Sequence, residues 1–137
     1  MDLKLFLNNG NEANETFEHT PTQKFKDSKG KAVPWVFRKL SIDEYDAIRN
    51  ECTKINFADS KKTKFNNTLF NKKIICNSIV EPNLNNAELQ DSYGVKKPED
   101  LIVKLFDNAG EYYNLLSYIL KVNGFQSFGD DVEDAKN

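Results

Sequence analysis

Acid–base or nucleophilic catalysis needs a base within reach of a nucleophile, and this sequence holds a single histidine, His19. It stands in a poorly patterned polar stretch near the front of the chain, where an exposed loop residue is the expectation. The two thiols, Cys52 and Cys76, lie far apart and match no metal-ligand spacing. Two buried free thiols in a reducing compartment are expected of them, with a disulfide as the alternative. The carboxylates Asp43, Glu44 and Asp46 open a helix, where the positive end of the helix dipole already accounts for them. Asp130, Asp131, Glu133 and Asp134 lack the alternating ligands and central glycine of a calcium loop. The six glycines are scattered, so no phosphate cradle is present. No catalytic residue, metal site or cofactor is expected.

Basic residues are the next candidates. Seventeen lysines and only two arginines, Arg38 and Arg49, make up the positive charge. Lys24 to Lys31 and Lys61 to Lys64 fall on turns, without the interleaved aromatics that stack on bases. The net charge of −2 and pI near 5.5 also argue against a general nucleic-acid binder. What is left is an aromatic surplus. Trp35, Phe37, Tyr93, Tyr112, Tyr113 and Tyr118 are many for a chain of this size, and exposed tyrosines are enriched at protein interfaces. Trp35, Tyr93, Tyr113, Leu115 and Tyr118 are therefore the candidate partner-binding residues, and a binding module is favoured over an enzyme. The alternative is that these side chains simply rim a small core.

The elements that would position them read as a mainly helical α+β domain. Residues 1–22 look like a loosely ordered arm, 23–125 like one compact domain, and 126–137 like a flexible acidic tail. A β-hairpin is expected from Gln23–Lys26 and Ala32–Leu40 across the Asp27–Gly30 turn, with Trp35 and Phe37 sharing a face. Pro34 suggests that this hairpin is peripheral. Helices are expected near 41–52, 67–80, 85–92, 98–107 and 110–123. Ser41 with Glu44, and Asn85 with Glu88, read as capping boxes. The first helix should bury Ile42, Tyr45, Ile48 and Cys52; the second, Phe70, Ile74, Ile75, Ser78 and Ile79. Between these two helices, residues 53–65 read equally as a small hairpin or a loop. Pro98 suits a helix start, and Gly94 and Asn123-Gly124-Phe125 suit helix ends.

On the last helix the apolar positions spread widely. Tyr112, Leu116, Ile119 and Leu120 form the expected inward face, leaving Leu115 and Tyr118 on one flank and Tyr113 on the other. A chain of 137 residues with 39% apolar and 29% charged residues is one ordinary domain. The leading Leu3, Leu5, Phe6 and Leu7 form too short a run for a signal-peptide core, and no window has the length of a membrane span. A soluble, intracellular protein is expected.

Several of these stretches resemble the XkdN-like tail assembly chaperones of phages and phage-derived elements of Gram-positive bacteria. The carriers are the lysine-rich hairpin running into Pro34-Trp35 and the acidic helix ending Glu51-Cys52-Thr53. NAELQDSYGV (Asn86–Val95) is the most specific, and Gly110-Glu111-Tyr112 leads on to Asn123-Gly124-Phe125. The resemblance spans roughly Phe25 to Phe125. It implies a non-enzymatic factor in the host cytoplasm that binds the long, helical tape measure protein and keeps it soluble while tail tube subunits polymerise. Such a factor would be absent from the finished particle. Contact with the tail tube protein and self-association are further implied possibilities, with neither nucleic acid nor membrane as partner. A structural tail-completion component and a small nucleic-acid-binding regulator stay open as alternatives.

Overall fold

Trp35-Val36-Phe37-Arg38 alternates large apolar side chains with others, the period of a half-buried strand. In the computed structural model, which describes residues 1–8, 10 and 15–125, this stretch is the middle strand of a three-stranded antiparallel sheet. Strand β1 (Thr16–His19) pairs with β2 (Trp35–Arg38), placing Thr16 opposite Arg38 and His19 opposite Trp35. On the other side β2 meets β5 (Ile79–Glu81), with a register shift between Val36 and Phe37. Trp35 and Phe37 share the inward face, as the alternation implies.

The strand that pairs with Trp35–Arg38 therefore comes from the stretch read as a loose arm, and Gln23–Lys26 is not its partner. The Asp27–Gly30 turn does form, with Gly30 at φ +79° and Asp27 accepting from the backbone of Lys29 and Lys31. Its ladder stops at one bridge, Lys26 to Ala32. Pro34 has no N–H to extend it, so the chain leaves the turn and pairs with β1 instead. Because Pro34 precedes β2, its missing donor falls outside the sheet, and β2 is central rather than peripheral.

Helix α1 (Ile42–Glu51) starts with the expected capping box: Ser41 Oγ accepts from Glu44 N at 3.1 Å, and Glu44 Oε1 accepts from Ser41 N at 3.0 Å. Ile42 departs from the expected stripe. It sits at the first helical position, overhangs the core and is 81% exposed, so burial begins a turn later with Tyr45, Ile48 and Cys52. Strands β3 (Thr53–Lys54) and β4 (Lys64–Phe65) make residues 53–65 a hairpin.

Helix α2 (Asn67–Ser78) buries Phe70, Ile74, Ile75 and Ser78. It ends before the expected residue 80 because β-branched Ile79 and Val80 extend into β5. Helix α3 (Ala87–Ser92) is capped by Asn86, whose Oδ1 accepts from Leu89 N at 2.9 Å. Asn85 is not the cap: its own N–H donates to Asn83 Oδ1 at 3.0 Å, and the turn from Asn83 carries the cap one residue on. Glu88 then falls one position short of the capping box. Gly94, at φ +69°, closes α3 as expected.

Helix α4 (Pro98–Ile102) opens on proline but is much shorter than 98–107, since turns at Lys104 and Leu105 redirect the chain toward the next cap. That cap is Asn108, and α5 (Ala109–Val122) follows it. Gly124 at φ +90° and the bond from Phe125 N to Leu120 O complete the expected Schellman end, while the Phe125 ring stacks on Tyr45.

The core lies where α2, α4 and α5 meet the sheet, around Phe37, Ile75, Leu101, Ile102 and Leu115. Lys73 ties three helices at its edge, pairing with Glu99 at 3.1 Å and Glu51 at 3.3 Å. Both thiols are free, Cys52 buried and Cys76 half-buried. The tail expected at 126–137 lies outside the described residues.

Candidate interaction surface

Asn108 fixes where α5 begins, and that placement sets the rings that follow it. Tyr112 stacks on Phe106 at 6.1 Å, and Tyr113 stacks on Tyr112 at 5.1 Å. Phe106 in turn lies 5.6 Å from Trp35. A ladder of four rings thus runs from the core outward and ends at Tyr113, which is 56% exposed. Its outer half lines a groove of about 330 Å³ between α2 and the start of α5. Thr68, Asn71 and Lys72 of α2 form one wall; Val103, Phe106, Tyr112 and Tyr113 form the other. Burial pushes the Tyr112 phenol up to about 12, so it stays un-ionised even well above neutral pH and puts no charge on the groove floor. Lys72 supplies a cation at the edge.

Nothing about the thiols suggests chemistry. Burial pushes Cys76 up to about 12 and raises Cys52 as well, so both remain protonated and poorly nucleophilic. His19 is a strand residue, not an exposed loop residue. It stacks on Tyr118 at 3.8 Å between ring centroids, and burial lowers its pKa, so it sits there uncharged at neutral pH. Among the described residues, no group of three or more His, Cys, Asp or Glu side chains could hold a metal ion.

The five candidate partner-binding residues do not share one surface. Trp35 is 3% exposed and Leu115 1%, so neither side chain is presented to a partner. Leu115 is inward because α5 is packed on more than one side. Its buried positions are Leu115 and Ile119: Ile119 belongs to the expected inward face of Tyr112, Leu116, Ile119 and Leu120, and Leu115 joins it from the flank. Tyr118 is half-buried between His19 and Phe37 over the sheet, and Tyr93 packs against the core from α3. Tyr113 alone of the five lines the groove. Sequence reasoning missed Val103, 38% exposed, because a helix running to residue 107 would have hidden its role as a groove wall. Asp107-Asn108 signalled the next helix start, but the turns that end α4 at Ile102 had no comparable local signal.

Comparison with known proteins places this geometry. The family model described as phage XkdN-like tail assembly chaperone protein matches residues 3–136. The chain is similar to two proteins of Bacillus subtilis (strain 168). It is 26% identical to the uncharacterized protein YqbN over 136 residues, covering 98% of this chain and 91% of YqbN. It is 24% identical to the phage-like element PBSX protein XkdN over 139 residues, covering 99% and 94%. The crystal structure of YqbN shares the fold at a TM-score of 0.75 and 24% identity, over 92% of this chain and 98% of that one. With nearly its whole length matched, the chain belongs to the XkdN-like family of phage tail assembly chaperones, assembly factors rather than enzymes.

Proposed function

We propose that this chaperone binds the tape measure protein of its phage or prophage and keeps it soluble while the tail tube assembles. The observation that carries this reading is the ring-lined groove between α2 and α5, open to solvent at Tyr113 and Val103. A long helical client exposes apolar stripes that associate with one another unless covered. A groove with an apolar floor accepts such a stripe as an amphipathic helix is accepted elsewhere, through anchors at i, i+3, i+4 and i+7. Tyr113 is suited to such contact, since a tyrosine ring offers a large area at a low entropy cost. Many copies along one client would let a modest affinity per copy suffice, because neighbouring sites on one chain raise the effective concentration.

The reading places the protein in the host cytoplasm and outside the mature particle, with the tape measure protein as its direct partner. Co-expression with the tape measure gene of the same element, followed by affinity purification, tests the partnership. Recovery of the two proteins together, with this chain absent from purified tails by mass spectrometry, is the expected result. Its presence in purified tails at fixed stoichiometry would instead make it a structural component.

A further inference from the structure

The β3–β4 hairpin presents apolar side chains that its own domain leaves wholly or partly uncovered. Ile55 is 62% exposed, Phe57 95% and Phe65 39%. Around these stand Lys54, Lys61, Lys62 and Lys64, all exposed, and Arg49 lies 5.0 Å over the Phe65 ring. Among the described residues, none of these four lysines pairs with a carboxylate, whereas Lys24, Arg38 and Lys73 each do. The one acid within the loop, Asp59, is occupied in accepting from the backbone of Lys61. Apolar side chains among unpaired lysines suit a segment that is acidic and carries a large apolar side chain.

We propose that the occupant is the chain's own C-terminal stretch, residues 126–137. Its composition is complementary: Asp130, Asp131, Glu133 and Asp134 offset by Lys136 alone, with Phe128 and Val132 as apolar anchors. The point from which it departs is also right. Phe125, the last described residue, stacks on Tyr45 at 5.3 Å; Tyr45 meets Phe70 edge-on at 5.4 Å, and Phe70 meets Phe65 at 5.2 Å. These three contacts set the rings of Phe125 and Phe65 at most about 16 Å apart, a span that the five residues to Asp130 cover at ~3.3–3.6 Å each. The acidic run thus comes within reach of the lysines without any rearrangement of the domain. Docking there covers Phe57 and neutralises a basic loop of an otherwise acidic protein. This inference does not depend on the identity of the client.

The test uses the full chain, ¹⁵N-labelled, beside a variant with Asp130→Asn, Asp131→Asn, Glu133→Gln and Asp134→Asn. A second variant, Lys61→Glu/Lys62→Glu, alters the exposed loop instead of the tail. At about 0.01 M ionic strength, where charges act over ~30 Å, the amide resonances of residues 54–65 should differ between parent and tail variant. The difference should vanish at about 1 M salt, where the screening length is ~3 Å. In the Lys61→Glu/Lys62→Glu chain, the resonances of 130–134 should move while those of α5 stay in place. Superimposable hairpin resonances in parent and tail variant at low salt would overturn the proposal. So would a difference that grows with protein concentration alongside a dimer in sedimentation, which would assign the hairpin to a second copy's tail.

Discussion

Asn123 joins two parts of the chain that no local signal connects. Its Oδ1 accepts from Leu40 N at 2.8 Å, 83 residues away, while its Nδ2 donates to Ile119 O at 2.8 Å. One side chain thus fixes the end of α5 against the segment joining β2 to α1. Replacing it with alanine removes two hydrogen bonds, each worth a net ~0.5–1.5 kcal/mol, and leaves the part-buried Leu40 N–H without its acceptor. The expected loss is about 2–3 kcal/mol. For a chain of this length the unfolding entropy is on the order of 0.3 kcal/mol per kelvin, so Tm should fall by about 7–10 °C. Asn123→Asp keeps the acceptor for Leu40 but loses the donor and sets a carboxylate at the negative end of α5, so it should fall between alanine and parent. Thermal and urea unfolding of the three proteins measure this directly. An alanine variant melting within ~1 °C of the parent would show that the clamp carries no stability and that the packing account of this junction is wrong.

The remaining predictions are compact. Asn86→Ala should cost about 1 kcal/mol by removing the acceptor for Leu89 N, whereas Asn85→Ala should be nearly silent; the reverse order in urea titrations would move the cap back. Leu115→Ala should cost ~2–5 kcal/mol as a core cavity, while Tyr113→Ser, which gives up one half-exposed ring stack, should cost no more than about 1 kcal/mol. Equal melting losses in those two variants would contradict the assignment of one to the core and the other to the surface. The Arg38 hydrogen bond, and then the Ser41 backbone, hold Glu44 at about 2, below the usual carboxylate range. Its contribution is therefore present above pH about 4.5 and lost as pH falls toward 2. Both side chains of the pair are more than a third exposed, so Glu44→Gln should remove less than ~1 kcal/mol near neutrality and only a small remnant of that at pH 2, where the carboxyl is half protonated.

Local signals were legible where a few adjacent residues decide the outcome. Ser41 with Glu44, Pro98 at a helix start, and Gly124-Phe125 at a helix end each settle their own backbone hydrogen bonds, and the structure forms them as read. Where the deciding contact is distant, the sequence says less. Thr16–His19 has no strong alternation; it is a strand because β2 turns away from the Asp27–Gly30 hairpin and needs a partner. The helical period of α2 runs on through Ile79, yet that residue is drawn into the sheet. Adjacent asparagines at 85 and 86 offer the same cap chemistry, and only the turn at Asn83 chooses between them. For the candidate site, the tyrosine surplus pointed to α5. Which of its side chains reach solvent depended on α2 and the sheet both packing against α5, and that sorted Tyr113 from Leu115.

The central claim is that the α2–α5 groove holds the tape measure protein. The most direct measurement is the dissociation constant of the purified chaperone for a soluble tape measure fragment, compared with that of Tyr113→Ser/Val103→Ser. Circular dichroism of both proteins should match and the melting temperature should fall by only a few degrees, since both side chains are partly exposed and neither belongs to the buried core. The account predicts at least tenfold weaker binding, about 1.4 kcal/mol, with the fold intact. An unchanged dissociation constant in a correctly folded variant would contradict it.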